Sequence, residues 1–145
     1  MKVKQSFRRR LLAFTLIASL FASVLPPGGT YFVAADADTS GEQVAQFVAD
    51  NHVLMLRADG RLLGWGDNTH GQLGLGNEAP NKLNSPAEIT FFADKATVKQ
   101  IAVIQDSSFV LLTNGDLYAT GKGDNGRLGL NDTNPRNEWT LVNPD

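Results

Sequence analysis

The sequence predicts an all-β fold of two four-stranded antiparallel sheets, and three observations carry that expectation. One stretch of the chain is written twice at a constant offset of 55 residues. Each copy holds an Asp-Gly or Asn-Gly pair between two apolar runs. Each hairpin marked in this way has a further short apolar segment before it and after it.

The repeat is read by placing Asp59–Gly76 over Asn114–Asn131. Identical residues fall at Gly60/Gly115, Leu62/Leu117, Gly66/Gly121, Gly71/Gly126, Leu73/Leu128, Gly74/Gly129 and Leu75/Leu130. Glycine supplies most of these pairs, so backbone geometry is repeated more than side-chain chemistry.

Taken in chain order, 44–48 is the first apolar segment and 53–56 the second. Asp59-Gly60 then turns the chain, and 61–65 runs back. Such a pair between apolar runs predicts a two-residue type I′ hairpin, with positive φ at both central positions. After a Gly- and Asn-rich loop, 87–90 closes the unit. The second unit repeats the plan with 98–104, 109–112, the turn at Asn114-Gly115, 116–120 and 139–142. Apolar residues fall on both faces of these strands, as in sheets packed between neighbours. Four-stranded sheets at a period near fifty are blades of a β-propeller. The two repeats span about 44–94 and 98–142. Trp65 and Tyr118, on the return strands, are expected to pack between blades.

The motif residues also resemble a known family. Asp59-Gly60-Arg61-Leu62-Leu63-Gly64-Trp65-Gly66-Asp67-Asn68 followed by Gly71-Gln72-Leu73-Gly74-Leu75-Gly76 resembles the repeat of the regulator of chromosome condensation family. Gly115, Leu117 and Gly121 with Gly126, Leu128 and Gly129 form a looser copy. His52 stands where the family has a histidine, and Ser107 replaces it in the second unit. The resemblance implies propeller blades, usually seven in a closed ring. Two blades leave open edges and an uncovered face. The chain is therefore expected to be a piece of a longer propeller, or to complete one as a homo-oligomer or with partners.

The amino terminus reads as an export signal. Arg8-Arg9-Arg10 precedes an uncharged apolar run, 11–25, too short to cross a ~30 Å hydrocarbon core as a helix. Pro26-Pro27-Gly28-Gly29 breaks it, and Ala35-Asp36-Ala37 offers a cleavage pattern, with Val33-Ala34-Ala35 as a second. Residues 1–37 are assigned to the signal peptide and 38–145 to the mature chain. The membrane is met only transiently through that signal, and the location expected is secreted or cell surface.

Composition removes other classes. From Asp38 onward there are eight basic and fourteen acidic residues, net −6, which disfavours nucleic acid. The absence of cysteine removes disulfides, thiolate metal sites and a cysteine nucleophile. Gly121-Lys122-Gly123-Asp124-Asn125-Gly126 satisfies G-x-G-x-x-G, but Arg127-Leu128-Gly129-Leu130-Asn131 is a poor helix start, so a structural loop is expected. Asp36–Gly41 imitates the start of a calcium loop, with Phe47 where a bidentate Glu is required. Asn131-Asp132-Thr133 is a glycosylation sequon.

No catalytic, metal or cofactor-binding residue is selected. His52 is expected to be a hydrogen-bonded structural residue. Asn68 and His70, in the loop after the first hairpin, are the candidate partner-binding residues. The family's founding member binds chromatin and drives nucleotide exchange on a small GTPase; neither property is carried over to an acidic, exported chain. The function expected is a non-catalytic module for protein–protein interaction. The alternatives are an extracellular hydrolase using loop carboxylates such as Asp67, Asp124 and Asp132, or a non-functional gene remnant.

Overall fold

The computed structural model describes residues 30–32, 43–77 and 79–142. The first sheet has the order β1 (Thr30–Phe32), β2 (Val44–Ala49), β3 (His52–Arg57), β4 (Leu62–Asp67) and β5 (Lys82–Glu88). The second has β6 (Val98–Ile104), β7 (Ser107–Leu112), β8 (Leu117–Gly121) and β9 (Arg136–Leu141). Strands β2–β5 and β6–β9 are the two four-stranded antiparallel blades. β1 adds a fifth strand on the edge of β2, with Tyr31 opposite Phe47. It falls within 1–37; the remainder of that stretch, with the proposed cleavage sites, lies outside the described residues, as does Asp36–Gly41.

The hairpins sit where the sequence places them, but their turns differ from type I′. Only the glycines have positive φ there, +89° at Gly60 and +98° at Gly115. Gly60 N–H donates to Arg57 O at 3.0 Å, and Arg57 N–H to Arg61 O at 2.9 Å, which closes a three-residue loop. The acidic or amide residue before the glycine has another task. Asp59 Oδ1 accepts from Arg61 N–H, and Asn114 Oδ1 from Asp116 N–H, both at 3.1 Å. The side chain thus caps the turn from outside and leaves the left-handed conformation to glycine alone.

β5 begins earlier than expected and carries no apolar alternation, because it is an exposed outer strand. Pro86 lies within it, which an edge tolerates and a central strand does not. The two repeats also share irregularities: register shifts at Val44/Gln46 and Val98/Gln100, and again at Gly64/Gly66 and Ala119/Gly121. They differ in one connection. Gln46 pairs with Leu56, but its counterpart Gln100 pairs with Leu111, so the second unit has one residue more between its first two strands.

The blades stack face to face, with β2 and β3 against β6. Val48, Leu54, Leu56, Leu62, Leu73 and Ile89 meet Val98, Ile101, Val103, Val110, Leu112 and Trp139 in one hydrophobic cluster. The linker joins it through a 3-10 turn, Thr90–Phe92. There Phe92 lies edge-on to Trp139 and Tyr118, with ring centroids 5.2 and 5.5 Å apart. The loop of the first repeat comes so close to the second that a Cβ on Gly74 would overlap the Trp139 indole. Tyr118 therefore packs between the blades as expected. Trp65 does not: it lies on the opposite face of the first sheet, part-buried against Phe47 at 6.1 Å.

Candidate interaction site

The site begins at the joint between the repeats, where the polar groups are set. His52 opens β3 and is fully buried. Its Nε2 lies 2.6 Å from Ser108 Oγ, which lies 2.6 Å from Gln72 O. A carbonyl only accepts, so the hydroxyl hydrogen is committed to Gln72 and the imidazole must donate through Nε2. Nδ1 is then bare, and no partner reaches it among the described residues. Burial pushes the His52 pKa down to about 4, against the opposing pull of Asp50, Asp106 and Asp67. A neutral, single-tautomer histidine is a fixed structural pin, as the sequence suggested.

Other bonds across the joint recur at the repeat spacing. Asn51 Nδ2 donates to Asp106 Oδ1 at 3.1 Å, Gln105 N–H to Asp50 Oδ2 at 3.0 Å, and Ile101 N–H to Gln46 Oε1 at 3.0 Å. Gln46 also donates to Lys99 O at 2.7 Å, so one amide reads two backbone groups of β6. Thr120 Oγ1 donates toward Gly71 O at 2.8 Å, with Arg136 O at 2.9 Å as a second acceptor.

These bonds hold the loop 67–81 of the first repeat against 135–137 of the second. Gly76 N–H donates to Asn137 O at 2.8 Å, and the Asn77 and Asn137 amides bond each other. Between them opens a cleft of about 260 Å3, lined by Thr69, His70, Asn77, Asn81, Pro135 and Asn137 among others. His70 and Thr69 are exposed at its mouth. Asn68 is 5% exposed, and its amide is used within the loop: Oδ1 accepts from Leu73 N–H and Nδ2 donates to Pro80 O, each at 3.0 Å. Of the two candidate partner-binding residues, His70 faces solvent and Asn68 braces the loop.

The corresponding loop of the second repeat is charged. Arg136 pairs with Asp132 at 2.7 Å, and Asp124 with Lys122 and Arg127 at 3.2 and 3.7 Å. The Arg136 side-chain hydrogen bond holds Asp132 below the usual carboxylate range, and the Thr69 hydroxyl does so for Asp67. At Asp124 desolvation pushes upward and is outweighed by the bonds and charges of Lys122 and Arg127. The G-x-G-x-x-G stretch is a loop with a three-residue 3-10 turn, Asp124–Gly126, and Asn125 at φ +60°. No group of three metal-binding side chains occurs among the described residues.

This stacking of twisted four-stranded sheets defines a β-propeller-type repeat protein. Residues 59–111 match the regulator of chromosome condensation (RCC1) repeat, and the chain thus carries the repeat of that family. The matched window runs from the first hairpin turn into β7, cutting across the structural blades. Among similar proteins are human "Probable E3 ubiquitin-protein ligase HERC3", 39% identical over 85 residues, and the "Ultraviolet-B receptor UVR8" of Arabidopsis thaliana, 34% over 86 residues. Each alignment covers 59% of this chain but only 8% and 19% of the respective relative. Human WBSCR16 superposes with a TM-score of 0.55 at 29% identity, over 64% of this chain and 24% of that one. Prp20p of Saccharomyces cerevisiae gives 0.62 at 19% identity, over 77% and 27%. That likeness shows the fold alone.

Proposed function

We propose that the chain is an exported, non-catalytic RCC1-repeat module that recognises a protein. The observation that carries this reading is the amide-lined cleft at the joint, with His70 and Thr69 exposed at its mouth and its walls braced from both repeats. Uncharged amides and a rigid backbone suit the donors and acceptors of a polypeptide better than a phosphate. The acidic balance after Asp38 argues in the same direction against nucleic acid. Carboxylates held ionised by arginine, lysine and hydroxyl neighbours lack the raised pKa a general acid needs, which counts against a hydrolase. Export is supported by the basic, apolar, breaker and small-residue order of the first 37 positions.

Two measurements test the reading. Amino-terminal sequencing of protein recovered outside the cytoplasm is expected to begin near Asp36 or Asp38; an intact Met1 on that protein overturns the export assignment. A photocrosslinking residue at His70 is expected to capture one protein of the exported milieu, while the same residue at Lys95 captures none. Equal labelling from both positions removes the cleft from consideration.

A further inference from the structure

The joint between the two repeats is also a template for what lies beyond them. On the first sheet, Phe47 pairs with Met55, Ala49 with Val53, Val53 with Trp65 and Met55 with Leu63, so these six apolar residues share one face. On the second, Ile101 pairs with Val110, Val103 with Ser108, Ser108 with Thr120 and Val110 with Tyr118. The two faces correspond strand for strand. In the second repeat this face docks on the first, and Ile101, Val110, Ser108 and Thr120 are fully buried. In the first repeat, Phe47, Val53, Met55, Leu63 and Trp65 are only part-buried, with no blade against them among the described residues.

The other end of the stack mirrors this. Val48, Leu54 and Leu56 of the first repeat bury themselves against the second. Their counterparts in the second repeat, Ala102, Phe109 and Leu111, are part-buried. The polar key is duplicated as well. Gln46, opposite Leu56, reads Lys99 O and Ile101 N–H across the joint. Gln100, opposite Leu111, is its counterpart; it is exposed and makes no side-chain hydrogen bond among the described residues.

We infer that the occupant of both faces is a second copy of this chain, stacked head to tail. The Phe47/Met55/Trp65 face of one copy receives the Phe109/Leu111 face of the next, and Gln100 reads the backbone near Ala45 and Phe47. The internal joint shows that a face of each type, built on this sequence, closes on the other with core-like burial. The interface is heterologous, so it propagates until a ring closes. About three or four copies supply six to eight blades, the size of natural propellers. β1 lies along the β2 edge that Gln100 reads, with Phe32 opposite Gln46, so stacking displaces it. Cleavage before Asp38 removes it. The inference concerns the ends of the stack and holds whatever the loops bind.

The test uses the chain from Asp38, which retains every core residue, since the cluster and its flanking apolar groups begin at Ala45. Sedimentation at tens of micromolar is expected to show assembly beyond a dimer. Met55→Asp blocks one face and Phe109→Asp the other, so each variant alone sediments as a monomer. Mixed in equal amounts, the two form a dimer, because each keeps the face the other has lost. Gln100→Ala, at an exposed position that leaves the fold intact, weakens assembly about tenfold through the loss of two hydrogen bonds. A wild-type monomer, a mixture that stays monomeric, or assembly unaffected by Gln100→Ala overturns the inference. Capture of a different protein on the Trp65 face by a chain that never self-associates does the same.

Discussion

Acid should unpin the joint between the repeats, and His52 is the residue through which it acts. In the folded protein its imidazole is fully buried, donates through Nε2 to Ser108, and titrates at about 4 because burial disfavours its charged form. In the unfolded chain it titrates near 6.5. Between these values the unfolded state holds a proton that the folded state refuses, so stability falls as pH is lowered through the window. The contribution is complete above pH ~6.5 and spent near pH ~4, and at about 1.4 kcal/mol per pH unit it comes to about 3.5 kcal/mol. Urea unfolding followed by tryptophan fluorescence reads this loss directly. His52→Gln keeps a donor for Ser108 and removes the titration, so its stability is expected to change little between pH 4 and 6.5 from this source. The carboxylates with lowered pKa lose their contribution only below their unfolded value of 3.8, under the window. Equal pH slopes for wild type and His52→Gln would refute the reasoning.

Three further outcomes are expected. Gly60→Val and Gly115→Val each cost ~1–3 kcal/mol, since a β-branched residue resists positive φ; unchanged urea midpoints would show the strain to be absent. Phe92→Ala costs ~3–5 kcal/mol by emptying the space between Trp139 and Tyr118, measured by thermal or urea unfolding. Gly74→Ala costs ~1–3 kcal/mol, because its Cβ meets the Trp139 indole at a residue already at φ +64°, and near-UV circular dichroism should report the displaced ring.

Much of the architecture was legible because it is written in local chemistry. The Asp59-Gly60 and Asn114-Gly115 pairs placed both hairpins, and the apolar runs before and after them placed most strands. β5 lies ahead of the expected 87–90 because an outer strand with Pro86 and no buried face leaves no periodic trace. The turn type was misread because Asp and Asn cap the turn with a side chain instead of entering the left-handed region themselves. Trp65 was assigned to the joint on its size and apolarity; which face of a sheet finds a neighbour depends on how many blades stack, and no local pattern records that. Asn68 looked like a surface residue of a glycine-rich loop, yet both ends of its amide close that loop. The polar bonds of the joint leave one signal in the sequence. Asn51 and Asp106, Asp50 and Gln105, and Gln46 and Ile101 are each separated by 55 positions, the repeat spacing itself.

The linker has a consequence for how this protein comes apart. Phe92 belongs to neither sheet, yet it shares a core with Ile89 before it and Trp139 far beyond it. The hydrophobic cluster runs through both repeats as one, so neither repeat has an interior of its own to retain when the other melts. Unfolding should be a single cooperative event, with one calorimetric transition whose van't Hoff and measured enthalpies agree. The indivisible unit of this architecture is the pair, and a chain cut to one repeat would lose its interior along with its neighbour.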